Sequence, residues 1–282
     1  MPKQFSLGVN SSAYIGYDFE TALSHIASVG FRFVEPAAVY GALEHLHQQE
    51  LTAAKAAWVA SRLAEKNLRV SSLAAHINLA APDAAEFFLP RLRFAADIGA
   101  PVIVTGCGPK NGREQIMKTI DKLLPEAERL GVVIALETNA DLLSTGAEGV
   151  QFVKHWNSPW LGVNYDAANV LRGTNGAADI QADFAAVVHD LKHLHLKDVA
   201  RDGELWRFAL PGDGAVDIRQ LLATLQTRQD PLAVIVEMPY QYRLPTLNGK
   251  IQTLPGRHSL EDTDRELYAA LELLKANLKE SE

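Results

Sequence analysis

Short aliphatic runs alternate with longer segments of helical period along the chain, and this alternation limits the fold more than any other feature. The runs are FSLGVN (5–10), FRFVEP (31–36), LRVSSLAAH (68–76), PVIVTG (101–106), VVIALET (132–138), LGVNYD (161–166), LKHLHLKD (191–198) and LAVIVEM (232–238). Most are rich in Val, Ile and Leu, as strands are when both sheet faces are covered. Helices are expected between them. The first is capped by Asp18 and stopped by Gly30. Others span 51–66, the stretch after Asp83 (which Pro90 should bend or interrupt), the stretches REQIMKTIDKLLPEAERLG and GAEGVQFVKHW, roughly 177–190 and 217–229, and Ser259 to Leu278. Strand–helix alternation implies a parallel sheet. Eight units in 282 residues imply an α/β fold, a single closed (β/α)8 barrel occupying 1–282 as one domain. The rival, an open doubly wound sheet for a nucleotide, lacks its signature, because no GxGxxG follows any strand.

The net charge of −7 and a pI near 5.7 disfavour nucleic acid as a partner, since phosphate binding wants a basic face. One cysteine, Cys107, excludes an intrachain disulfide and fits a reducing compartment. The N-terminal stretch MPKQFSLGVNSSAY reads as a first strand and not as a signal peptide. No run approaches the roughly 20 apolar residues of a membrane span. A cytoplasmic protein with no membrane partner is expected.

In parallel barrels, chemistry sits at the C-terminal ends of the strands. Here those ends carry Glu35, His76, Glu137, Asp166, His195 and Glu237. Side chains alternate across a strand, so Val133, Ala135 and Glu137 share a face, and so do Ala233, Ile235 and Glu237. If Leu194 and Leu196 pack outward against helices, His193, His195 and Lys197 point into the barrel. Four successive strands then converge Glu137, Asp166, His195 and Glu237 on one point. Three carboxylates alone would repel one another, and a divalent cation removes that conflict. Three oxygen donors and one imidazole suit one Mn²⁺, Mg²⁺, Zn²⁺ or Co²⁺, with Mn²⁺ the expected ion.

At these residues the chain resembles the xylose-isomerase-like TIM-barrel family of sugar phosphate isomerases and epimerases, which includes ketose 3-epimerases, inosose dehydratase, hydroxypyruvate isomerase and, more remotely, endonuclease IV. The matching pieces are ALETN, VNYDAAN, HLHLKD with the later PGDGAVDI, and VIVEMPY. The resemblance implies a metal held by Glu137, Asp166, His195 and Glu237. It also implies that Glu137 and Glu237 move protons on opposite sides of a substrate carbon, through an enediolate held by the metal. It makes Arg201, six residues after His195, a candidate substrate clamp. Two positions depart from the ketose 3-epimerases: Leu143 and Asn169 stand where those carry a glutamate and a substrate-contacting histidine. The sugar-reading shell therefore differs. A small sugar or sugar acid is the expected partner, and isomerisation or epimerisation the expected reaction. Dehydration of the inosose or dehydroshikimate type is the alternative. A carbohydrate-binding barrel without catalysis and a DNA-repair nuclease are weaker readings.

Among the remaining residues, His76 shares the inward parity of Ser72 and Ala74 and is expected at the substrate. Glu35 either meets substrate or braces His76. Lys197 holds a site carboxylate or a substrate oxygen. His193, one repeat below His195, is expected to support it. Cys107 reads as filler, and EHLH (44–47) as a polar segment and not a metal tract. The stretch 239–258 is long for a barrel loop. It is expected to form a lid, a binding loop or the contact of a homo-oligomer, with Arg243, Lys250 and Arg257 available to an anion.

Overall fold

The computed structural model describes residues 5–239, 242–245, 252–253 and 258–278. The first strand, β1 (Phe5–Asn10), leads to α1 (Phe19–Val29), whose N-cap Asp18 accepts from the backbone N–H of Thr21 at 2.7 Å. Such a cap contributes about 1 kcal/mol. The helix stops at Gly30, whose φ of 103° is costly for a residue with a Cβ. Then follow β2 (Phe33–Glu35), α2 (Ala53–Glu65), β3 (Arg69–Val70), β4 (Leu73–Ala74), α3 (Ala84–Asp97), β5 (Val102–Thr105) and α4 (Arg113–Leu130). The later half runs β6 (Val133–Glu137), α5 (Gly146–Val153), β7 (Leu161–Asp166), α6 (Ala167–Gly173), α7 (Ile180–Val187) and β8 (His193–Leu196). It continues through β9 (Asp198–Asp202), β10 (Leu205–Ala209), α8 (Ile218–Leu225), β11 (Leu232–Val236), β12 (Tyr242–Pro245), β13 (Gln252–Thr253) and α9 (Leu260–Asn277).

Nine strands form one parallel sheet in the order β3-β2-β1-β11-β8-β7-β6-β5-β4. Its two ends, β3 and β4, are neighbours in the chain, so the sheet curls into a nearly closed barrel. The continuous third strand expected over 68–76 is in fact broken. Arg69 and Val70 pair with β2, while Leu73 and Ala74 pair with β5. Between them the N–H of Ser71 donates to the Val34 carbonyl, and the Ser72 hydroxyl bonds His193. The break is where the barrel changes partners, and an isolated bridge between Ala37 and Ala74 helps close the gap.

Parity runs as expected. Leu194 and Leu196 are buried in the large apolar layer between sheet and helices. Each contributes about 1.5–3 kcal/mol by leaving water. Inside the barrel a separate small cluster of Val102, Val104 and Ala135, with Val133 against it, forms a floor below Glu137.

Other boundaries shift. Pro90 lies within α3 without ending it, and the Asp83 side chain makes no capping bond. The helix expected over 177–190 is limited to α7, and a separate short helix, α6, starts directly on Asp166. An unanticipated antiparallel sheet, ordered β13-β12-β10-β9, follows strand β8. Its hairpin turns at Gly203, with φ 62°. Alternation in VARDGELWRF around an Asp-Gly turn is the local signal for it. Lys250 and Arg257 lie outside the described residues. No described helix is long and apolar enough to cross a membrane.

Candidate metal centre and pocket

Four side chains meet at the C-terminal mouth of the barrel. Glu137 and Asp166 are the last residues of β6 and β7, His195 lies one residue from the end of β8, and Glu237 follows β11 directly. Each offers one ligand atom, and these atoms lie within 4.8 Å of one another. All four are buried. Strand registry produces this: Asp166 is paired with His195, and His195 with Ile235, two residues before Glu237.

His195 is gripped from both sides. Its Nδ1 lies 2.6 Å from Glu137 Oε1 and 3.3 Å from Glu237 Oε2, while its Nε2 lies 2.8 Å from Glu35 Oε1. Burial alone would pull the imidazolium down, but Glu35, Glu237 and Glu137 outweigh it and hold the pKa well above the ordinary value. Burial would likewise raise Glu35, yet His195 and His193 keep it at about 2. A carboxylate at Nε2 fixes the proton there and turns Nδ1 toward the acids.

Lys197, just beyond β8, sets its ammonium 2.6 Å from Asp166 Oδ2 and against Glu237 Oε2. Burial opposes its charge, but Asp166, Glu237 and Glu137 raise its pKa, so it stays an ammonium. Lys197 and His195 hold Glu237 well below the usual carboxylate range against burial. Asp166 goes the other way, raised chiefly by burial.

The residues fit a divalent cation. The donor set is three carboxylates and an imidazole nitrogen. Asp166 Oδ2 and Glu237 Oε2 are buried and, although beside the ammonium, accept no well-directed hydrogen bond. With His195 neutral, as a ligating imidazole must be, three carboxylates and one ammonium leave two negative charges, which a divalent ion would neutralise.

The cluster opens onto a pocket of ≈ 160 Å³. Glu137, Glu237, Lys197, His76 and Asn169 line it, together with Asn139, Arg172 and the apolar Val39, Leu43 and Phe208. His76 lies beyond β4, its Nδ1 3.7 Å from Glu137 Oε2. Asn169 sits in the first turn of α6, where its N–H donates to Asp166 Oδ1 at 2.9 Å.

Two candidates lie elsewhere. Glu35 is fully buried beneath the pocket, and the residue it braces is His195; Asn10 Nδ2 donates to it at 2.6 Å. Arg201 is exposed on β9, bonds Asn175 Oδ1 at 2.6 Å, and stacks on Trp206 at 4.1 Å. It is not among the described residues that line the pocket, although Phe208 of the same hairpin is. His193 supports the centre, with Nδ1 2.9 Å from Asn164 Oδ1 and Nε2 2.9 Å from Ser72 Oγ. Asn164 in turn donates to Glu137 Oε1 at 3.1 Å. Cys107 is fully buried, and burial pushes its thiol well up. His45, in the EHLH stretch, is bonded to Ser11 Oγ and the Tyr17 carbonyl.

Sequence reasoning missed Asn139, Asn164 and Arg172. Arg172 follows Asp166 by six and Asn169 by three, the spacing of one helical face. That signal becomes legible only once a helix is placed directly after strand β7.

A family model described as xylose isomerase-like TIM barrel matches residues 23–279. The chain belongs to the xylose isomerase-like TIM barrel family. Several solved structures of this fold align along nearly the whole chain. A xylose isomerase domain protein from Planctomyces limnophilus is 17% identical, with TM-score 0.74 and 97% of each chain covered. A D-psicose 3-epimerase with D-tagatose from Clostridium cellulolyticum H10 is 18% identical, with TM-score 0.71, covering 97% of this chain and 99% of that one. A probable 3-DHS dehydratase from Bacillus anthracis is 14% identical, with TM-score 0.69, covering 95% and 98%. No curated protein matches the sequence. At these identities the likeness is one of fold.

Proposed function

We propose that the protein is a divalent-metal-dependent isomerase or epimerase of a small sugar or sugar acid, moving a proton next to a carbonyl. One observation carries the reading: the ligand atoms of Glu137, Asp166, His195 and Glu237 lie within 4.8 Å of one another at a barrel mouth. A bound divalent ion would supply the positive charge that makes a carbonyl-adjacent C–H acidic enough to lose its proton.

The chain's own residues divide the rest of the work. Glu137 and Glu237 both line the pocket and come from β6 and the end of β11, on either side of β7 and β8. A carboxylate on each side of a substrate carbon allows one to take a proton and the other to return one. Glu237, which lines the pocket beside Lys197 and His195, is the candidate base. Lys197 and Asp166 hold Glu237 in place through the shared ammonium. His76 and Asn169 present polar groups to substrate hydroxyls, and Phe208 and Leu43 exclude water.

The test is exchange in D₂O. The Mn²⁺-loaded protein incubated with a panel of ketoses and keto acids is expected to place deuterium on the carbon next to the carbonyl without loss of water. A second reading, in which loss of a β-hydroxyl as water follows the same proton abstraction, is favoured by Leu143 and Asn169 at the sugar-reading positions. Appearance of an enone or 2-keto-3-deoxy product would establish that reading and remove isomerisation.

A further inference from the structure

The pocket holds two cations, and their circumstances differ. The ammonium of Lys197 is already engaged by Asp166 and Glu237. Arg172 has no carboxylate within ion-pair distance among the described residues. It is half-buried at the C-terminal end of α6, and its only hydrogen bonds among the described residues are to neutral groups: Nη2 donates to Asn139 Oδ1 and, at 3.5 Å, to Asn169 Oδ1. Its Nε is buried without a hydrogen-bond partner among the described residues. So is Nε2 of His76, which lines the same pocket. The chain carries 34 acidic and 27 basic groups, so a surplus of acids was available to neutralise this guanidinium.

A guanidinium withdrawn from water costs free energy until an anion takes its planar N–H fork. Burial disfavours the Arg172 charge, and the pull of Asp166, Glu137 and Asp141, none of them within ion-pair distance, offsets this only in part. Its position explains why that cost is accepted. Asp166, Asn169 and Arg172 are spaced three apart along α6, so the helix that begins at the metal cluster delivers Arg172 to the lining of the same pocket.

We propose that Arg172 is a specificity-determining residue and that the substrate is anionic. A carboxylate or phosphate, attached a few bonds from the reacting carbon, pairs with the Arg172 guanidinium, and Asn139 and Asn169 hold that guanidinium in place. This rests on the reading of the pocket as the site of proton transfer, and it commits that reading to sugar acids or sugar phosphates over neutral sugars.

The experiment compares three ligands of one carbon skeleton, D-fructose, D-fructuronate and D-fructose 6-phosphate, by calorimetry on the full chain with Mn²⁺. At least one anion is expected to bind about 10- to 100-fold more tightly than D-fructose, the scale of a charged hydrogen-bonded pair. Whichever anion wins identifies carboxylate or phosphate. Arg172→Met is expected to abolish the preference and Arg172→Lys to restore part of it. Because the readout is a ratio within one protein, a loss of folded fraction does not imitate it. Equal binding of all three, or a preference that survives Arg172→Met, overturns the proposal. Deuterium exchange is measured alongside. An anion preference that needs Arg172, without exchange, upholds the anion site and removes only the proton-transfer reading. Exchange on D-fructose with no anion preference does the reverse.

Discussion

Asp166 and Asp198 are both buried aspartates at the ends of neighbouring strand segments, and they serve opposite ends. Asp198 has its oxygens consumed by backbone. Oδ1 accepts from Val199 at 2.8 Å and Val216 at 3.0 Å, and Oδ2 from Gly212 at 3.0 Å and Gly214 at 2.9 Å. A Cβ at Gly214 would lie 2.2 Å from Asp198 Oδ1, so the loop closes on the carboxylate only with glycine there. The PGDGAVDI stretch is thus a clamp around one acid. Asp166 spends Oδ1 on the N–H of Asn169 and leaves Oδ2 facing Lys197 and the other acids. A buried carboxylate satisfied by amides ties the chain together. One left open among like charges stores a demand for a cation.

The largest effect that would break this contrast is catalytic. Glu237→Gln is expected to lower turnover roughly 10³-fold, the scale of a lost acid–base group. Its thermal midpoint should also fall, because Lys197 and His195 lose one of the carboxylates that hold them. Kinetics on the identified substrate and a melting curve check both halves. Unchanged turnover would take Glu237 out of the chemistry.

Asp198→Ala should behave inversely. Four amide donors lose their acceptor, which should cost about 3 kcal/mol, roughly a hundredfold in the unfolding equilibrium. Urea titration measures this. Turnover per folded molecule is expected to stay within a few-fold, and an intact stability would show that the clamp is dispensable.

Glu35→Gln tests the support beneath the metal centre. The amide no longer fixes the proton on His195 Nε2, so Mn²⁺ affinity is expected to fall about 10- to 100-fold with the fold retained. Metal titration by calorimetry decides it. Equal affinity would leave Glu35 a bystander.

The smallest effect concerns acid stability away from the site. Burial pulls His45 from its ordinary 6.5 down to about 4. Between those values the unfolded chain binds a proton that the folded one refuses. Stability is therefore full above about pH 6.5 and declines as pH falls toward 4. His45→Gln should flatten that slope in denaturant melts taken at several pH values. An unaltered slope would assign it to other groups, His193 first, since burial lowers that imidazole to about 4 as well.

Much of the site was legible because strands report side-chain direction with period two. Glu137 above Val133 and Ala135, and His195 opposite Leu194 and Leu196, follow from alternation alone once a parallel barrel is assumed. Less was legible where partners are distant in sequence. Glu35 could be placed at a strand end, but that it braces His195, 160 positions away, depends on β2 and β8 flanking β1 and β11. Arg201 shows the limit of spacing. Six residues after His195 is a position on an antiparallel hairpin, where Arg201 meets Asn175 and Trp206.

By itself the amino-acid sequence determined the strand–helix alternation, the inward face of each strand and the four groups at the strand ends, because these depend on local periodicity. Tertiary structure alone decided where the third strand breaks to close the barrel, that Lys197 bridges Asp166 and Glu237, and that Arg172 lines the pocket while Arg201 stacks on Trp206. Those outcomes depend on which strand lies beside which. Hydrogen-bond registry and charge pairing between remote segments set that arrangement, and local periodicity carries no record of it.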